Sequence, residues 1–139
     1  MILFCCDGSD GARTAIERAG ELLHGKQPAR VLTVWDWGSG RPGEESAESR
    51  AEQGAEHARA AGFDARAHVR ASNTTTAETI LAEAADVHAR LIVLGTRGLS
   101  GAKSLLMGSV SHEVAQRADR PVLVVPSAEV AARRAARRS

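Results

Sequence analysis

The chain has 139 residues, of which 43% are hydrophobic and 25% charged, with a net charge of +1. That length supports one domain with an ordinary core. No apolar run approaches the roughly 18 residues of a membrane span, and a near-neutral total gives no reason to expect a nucleic-acid surface. Met1 leads directly into Ile2-Leu3-Phe4 and acidic Asp7, without a basic start or a small-residue cleavage site, so no cleavable signal is expected. The two cysteines, Cys5 and Cys6, are adjacent. On a strand they point to opposite faces, which makes neither a disulfide framework nor a metal site. These numbers lead to the expectation of a reduced, cytoplasmic, single-domain protein.

In chain order, Ile2–Cys6 reads as a short buried strand, almost wholly apolar. Asp7-Gly8-Ser9-Asp10 is a turn with several candidate N-caps. Ala12–Leu23 follows as a helix, with Ala12, Ala15, Ile16, Ala19, Leu22 and Leu23 at helical spacing. Arg30–Asp36 is the second strand, and the Gly/Ser/Pro stretch Gly38–Gly43 a loop. Glu44–Ala61 reads as a helix whose glutamates form a solvated face. Ala65–Val69, with Arg66 and His68 alternating against small apolar residues, fits an edge strand. Ala77–His88 is a helix and Leu91–Leu94 a branched, continuous strand expected at the sheet centre. A loop over Gly95–Gly108, a helix from Ser109 to about Ala118 and a strand over Pro121–Pro126 complete the domain. Residues 128–139 read as a basic Ala/Arg tail, solvated and partly disordered, after a domain over 1–127. Regular strand–helix alternation with short connections predicts a parallel sheet with helices on both faces. Ligands of such sheets sit beyond the carboxyl ends of the strands, where the strand order reverses, which directs attention to Asp7, Val34–Asp36, Ala71–Asn73 and Gly95 onwards.

The segment from Gly95 to Ser109, G-T-R-G-L-S-G-A-K-S-L-L-M-G-S, holds the densest chemistry. A helix start at Gly108-Ser109 would present unpaired N–H groups and a partial positive charge to a phosphate. Glycines would let the backbone approach an anion closely, and Arg97 and Lys103 add positive charge. The same residues also suit a plain turn and a serine cap, and spacing alone leaves the two readings balanced. Asp7 is likewise either a site carboxylate or a cap or turn residue of the first helix. Gly38–Gly43 spells G-x-G-x-x-G after a strand, but Pro42 and the following glutamates suit a pyrophosphate poorly. The five histidines show no metal-ligand spacing. No G-x-S-x-G offers a serine nucleophile.

From Leu91 to Pro126 the sequence resembles the universal stress protein family. Gly95, Gly98, Gly108 and Ser109 match the family's G-x2-G-x9-G-[ST] loop, and Cys6–Ser9, C-D-G-S, is similar to the end of its first strand. The resemblance implies a three-layer α/β/α fold, Rossmann-like and of the adenine nucleotide alpha-hydrolase-like kind, with a five-stranded parallel sheet in order 3-2-1-4-5. It implies an ATP site built from Asp7, Val34, Gly95, Arg97, Gly98, Gly108, Ser109, Val110 and Ser111. Val34 would meet adenine and Asp7 would hold Mg²⁺, a role suited to a hard oxygen ligand. It also implies a homodimer joined through Pro121–Pro126, an apolar edge without a gatekeeping charge. The turn Ala71-Ser72-Asn73-Thr74 departs from the family's Gly-x-Pro/Ala pattern. No base-and-stabiliser set for hydrolysis stands out. The expected function is therefore a nucleotide-dependent sensor or switch in a stress response, with at most slow ATPase activity or autophosphorylation on Ser109 or Ser111. The alternatives are a dimeric interaction module that binds no nucleotide, and a cyclic-nucleotide-binding or slowly hydrolysing variant.

Overall fold

The computed structural model describes residues 1–36, 43–96 and 102–138. Five parallel strands form one sheet: β1 (Ile2–Cys5), β2 (Pro28–Asp36), β3 (Asp64–Ser72), β4 (Leu91–Gly95) and β5 (Val122–Val125). Their order is β3-β2-β1-β4-β5, as expected, so the order reverses between β1 and β4. Phe4 stands level with Val31 of β2 and with Val93 of β4.

Alternation along each strand divides the core into two layers. Ile2, Phe4, Val31 and Val93 face α1 (Asp10–Leu22) and α2 (Glu44–Ala60), where Phe63 meets Phe4 edge-on with centroids 5.0 Å apart. Leu3, Leu32, Ile92 and Leu94 face α3 (Thr76–Asp86) and α4 (Ala102–Arg117). Coverage on both sides is why β1 and β4 are apolar throughout rather than alternating.

The helices reach the sheet by different means. On α2 the inward residues are Ala47, Ala51, Ala55 and Ala58, all fully buried, while Glu45, Glu48, Glu52 and Glu56 stay exposed. Such small side chains let the helix axis come close. A Cβ placed on Gly54 would lie 2.8 Å from Val31 Cγ1 and 2.9 Å from Cys6 Sγ. On the other face α3 brings a carboxylate inward: Glu83, only 2% exposed, accepts from Arg30 Nη1 at 2.9 Å and Arg70 Nη1 at 3.0 Å, with His68 Nε2 3.7 Å away. This cluster ties β2 and the edge strand β3 to α3.

Two expectations are corrected. Helix α4 starts at Ala102 rather than Ser109, because Ala102, Lys103, Leu105, Leu106 and Met107 are strong helix formers, and a single Gly108 costs only about 1 kcal/mol in a helix. The Ala/Arg end is not partly disordered: Ala128–Ala136 forms α5, capped by Ser127, whose hydroxyl accepts from the Val130 N–H at 3.2 Å. Val130 is buried and Arg133 pairs with Glu129 at 2.8 Å. Alanine and arginine both favour helix, so a composition that reads as a solvated tail is also that of a short docked helix.

Candidate functional site

The carboxyl ends of β1, β2 and β4 lie side by side, so the chain leaves the sheet at Asp7, beyond Asp36 and at Thr96 along one rim. At the first exit Asp7 is a turn residue rather than the helix cap. Its Oδ1 accepts from the Ser9 N–H at 2.9 Å, and Ser9 is the cap, its hydroxyl accepting from the Ala12 N–H at 3.2 Å. Between them Gly8 has φ +83°, a left-handed conformation that disfavours a side chain. The Asp7 carboxylate is thereby fixed in direction by the backbone just ahead of the N-terminus of α1.

Across the rim, Gly95 ends β4 against the first turn of α1. A Cβ there would lie 2.6 Å from the Gly11 carbonyl carbon and 3.1 Å from the Ala12 nitrogen. This glycine is required by close backbone approach alone. Thr96 continues the sheet pairing, its N–H donating to the Val125 carbonyl at 3.0 Å, while its hydroxyl oxygen accepts from the Ser127 N–H at 3.2 Å. Thr96 thus locks β4, β5 and the start of α5 together, a role its sequence position does not advertise.

The other predicted residues lie on β2 and α4 or outside the described residues. Val34 and Val110 are partly buried and pack on the α3/α4 side of the core. Ser111 is buried, and its hydroxyl donates to the Gly95 carbonyl at 3.5 Å; Ser109 is exposed. Gly108 and Ser109 lie in the body of α4, where a backbone N–H donates to the carbonyl four residues earlier. Arg97 and Gly98, with most of the G-x-G-x-x-G stretch, lie outside the described residues.

One residue at this rim escapes sequence reasoning. Arg50, on α2, runs over Gly8: its Cδ and Cγ lie 3.0 and 3.1 Å from where a Gly8 Cβ would be. Its Nε is buried with no hydrogen-bond partner among the described residues. In the sequence Arg50 is one more charge on a charged helix, and no spacing marks it. Below it the Cys6 thiol donates to the Arg50 carbonyl at 3.8 Å. Burial pushes both thiols up, Cys5 furthest, with the neighbouring Cys6 adding to it; at Cys6 a Gly8 backbone hydrogen bond and the Arg50 charge oppose the rise. Both shifts favour the protonated thiol over the nucleophilic thiolate. Among the described residues no three His, Cys, Asp or Glu side chains gather as a metal site.

The family model described as the universal stress protein family matches residues 1–126. A universal stress protein of Thermus aquaticus, from the 3′ region of a QAH/OAS sulfhydrylase gene, is 37% identical over 135 residues, covering 89% of this chain and 96% of that protein. Universal stress protein YxiE of Bacillus subtilis is 46% identical over 54 residues, 39% of this chain and 36% of the relative, so that match spans about a third of its length. Among solved structures, a universal stress protein in complex with cAMP superposes with a TM-score of 0.66 at 25% identity, covering 91% of this chain and 97% of the other.

Proposed function

The chain belongs to the universal stress protein family, and from that premise we propose that it binds an adenine nucleotide at the rim formed by the ends of β1, β2 and β4. The observation that carries this reading is the Asp7 carboxylate, held by the Ser9 N–H just ahead of the N-terminus of α1, at the point where the strand order reverses. The residues fit the group in kind: Asp7 offers a hard carboxylate oxygen for Mg²⁺ bound to phosphate. Val34 offers an apolar contact for the base.

The ligand we favour is ATP with Mg²⁺, with Arg97, Gly98, Gly108, Ser109, Val110 and Ser111 contributing from the β4–α4 side. The bound chain would act as a cytoplasmic sensor or switch rather than a fast enzyme. When present, the metal would supply charge neutralisation between phosphate oxygens and Asp7. Phosphate contact through the Gly108 and Ser109 amides requires the first turns of α4 to open, so binding is expected to lower the helix content slightly. Buried Ser111 is the poorer of the two serines as a phosphate acceptor, and exposed Ser109 the better.

Isothermal titration with ATP and Mg²⁺ tests this, with AMP and cyclic AMP run beside it. Tightest binding of ATP, weakened by EDTA and by Asp7→Ala, is the expected result. Tighter binding of cyclic AMP would favour the second reading, for which the cAMP-bound relative speaks. No heat with any of the three would leave the interaction module. We further propose a homodimer through β5, which is an edge strand of the described sheet and exposes Val124. A Val124→Lys variant should run as a monomer in light scattering where the parent runs as a dimer.

A further inference from the structure

We propose that Arg50 is a phosphate-binding residue of this site, reaching from α2 across Gly8 to an oxygen of the bound nucleotide. The inference rests on the nucleotide reading above and deepens it, because Arg50 belongs to neither the glycine loop nor the strand ends that suggested that reading.

Three independent features support it. The first is the orphaned Nε, buried and without an acceptor among the described residues. The other arginines that enter the core rim find partners: Arg30 and Arg70 meet Glu83, and Arg120 donates to the carbonyls of Ala84 and Ala89 at 2.8 and 3.1 Å. The second is that Gly8 makes room for it. With φ +83° and the Arg50 stem filling the space of a Cβ, glycine at this position allows the side chain to cross the turn that follows Asp7. The third is the helix direction. α2 follows β2, so its first turns lie at the carboxyl end of the sheet, and a residue in its second turn stands at the rim where a ligand of such a sheet sits. The Arg50 charge is felt at Cys6, next to Asp7, which agrees with a cation over this turn. Arginine suits the task because its guanidinium stays charged and offers several donors in a fixed fork to phosphate oxygens.

The test compares the full chain with Arg50→Met and Arg50→Lys. Methionine keeps an unbranched apolar stem over Gly8 and removes the charge. Binding of ATP and of adenosine is measured by titration, and the melting temperature is recorded with and without inorganic phosphate. The expected result is an ATP affinity about tenfold lower in Arg50→Met, adenosine affinity unchanged, and partial rescue in Arg50→Lys. The ligand-free melting temperature should not fall, and the shift given by inorganic phosphate should be lost. Equal losses for ATP and adenosine, or an unchanged ATP affinity, would overturn the proposal while leaving nucleotide binding in place. If the parent chain binds neither ATP nor adenosine, the site reading itself fails, and the role of Arg50 with it.

Discussion

The two faces of the sheet solve the same packing problem with opposite chemistry. On the α1/α2 face, contact is made by alanines and glycines so small that helix backbone lies almost on the strands, as Gly54 over Val31 and Cys6 shows. On the α3/α4 face, branched side chains fill most of the gap, and at the β3 edge a buried glutamate answers two arginines. The first face is intolerant of added volume and the second of lost charge. Gly95 sits where the two meet, at the end of β4 against α1, with the Ser111 hydroxyl on its carbonyl from the α4 side. The candidate site therefore inherits its rigidity from both faces.

If volume governs the first face, Gly95→Ala is the most damaging small change. The obstructing atoms are the Gly11 carbonyl and the Ala12 nitrogen, main-chain groups that cannot swing aside. A loss of roughly 3 kcal/mol in urea unfolding is expected. Gly54→Ala should cost less, roughly 1–2 kcal/mol, because Val31 Cγ1 and Cys6 Sγ are side-chain atoms able to shift. If charge governs the second face, Glu83→Ala should cost roughly 2 kcal/mol, since Arg30 and Arg70 lose an acceptor while staying about one-third exposed. Equal sensitivity of the two faces to both kinds of change would dissolve the contrast.

How legible each face was in the sequence follows from the range of its interactions. Strand apolarity and the helix periodicities are local, and they carried the alternation and the parallel sheet; the strand order came from the family resemblance. Glu83 was not legible: at helical spacing it reads as one more solvated carboxylate, and only the register of β2 against β3, with Arg30 level with Arg66, Leu32 with His68 and Val34 with Arg70, brings Arg30, His68 and Arg70 to one face under it. Arg50 was hidden for the same reason, because its meaning depends on Gly8, far away in the chain. At Gly108-Ser109 a local start signal was outweighed by five good helix residues before it. Asp7 and Gly95 stand out as candidates in the sequence because short-range chemistry, a turn and a strand end, marks them directly.

The adjacent cysteines probe the comparison within a single stretch of chain. Cys6 lies in the α1/α2 core, while Cys5 packs against the α3/α4 core. Burial raises both thiols above their ordinary value of 9.0, so the native state holds its thiol protons where the unfolded chain has released them. Stability from this source is complete below about pH 9 and falls as pH rises beyond it, by about 1.4 kcal/mol per pH unit for each thiol still protonated in the fold. At Cys6 the Gly8 hydrogen bond and the Arg50 charge oppose the rise, so its share should end at lower pH than that of Cys5. Urea midpoints measured from pH 7 to 11 should be flat and then fall. Cys5→Ala should flatten the decline over the whole alkaline range, and Cys6→Ala only over its first part. Absolute stabilities will differ for reasons of packing, so the slopes carry the information. Identical slopes for the two variants would mean that the α1/α2 face, for all its closeness, seals Cys6 no less completely than the opposite face seals Cys5.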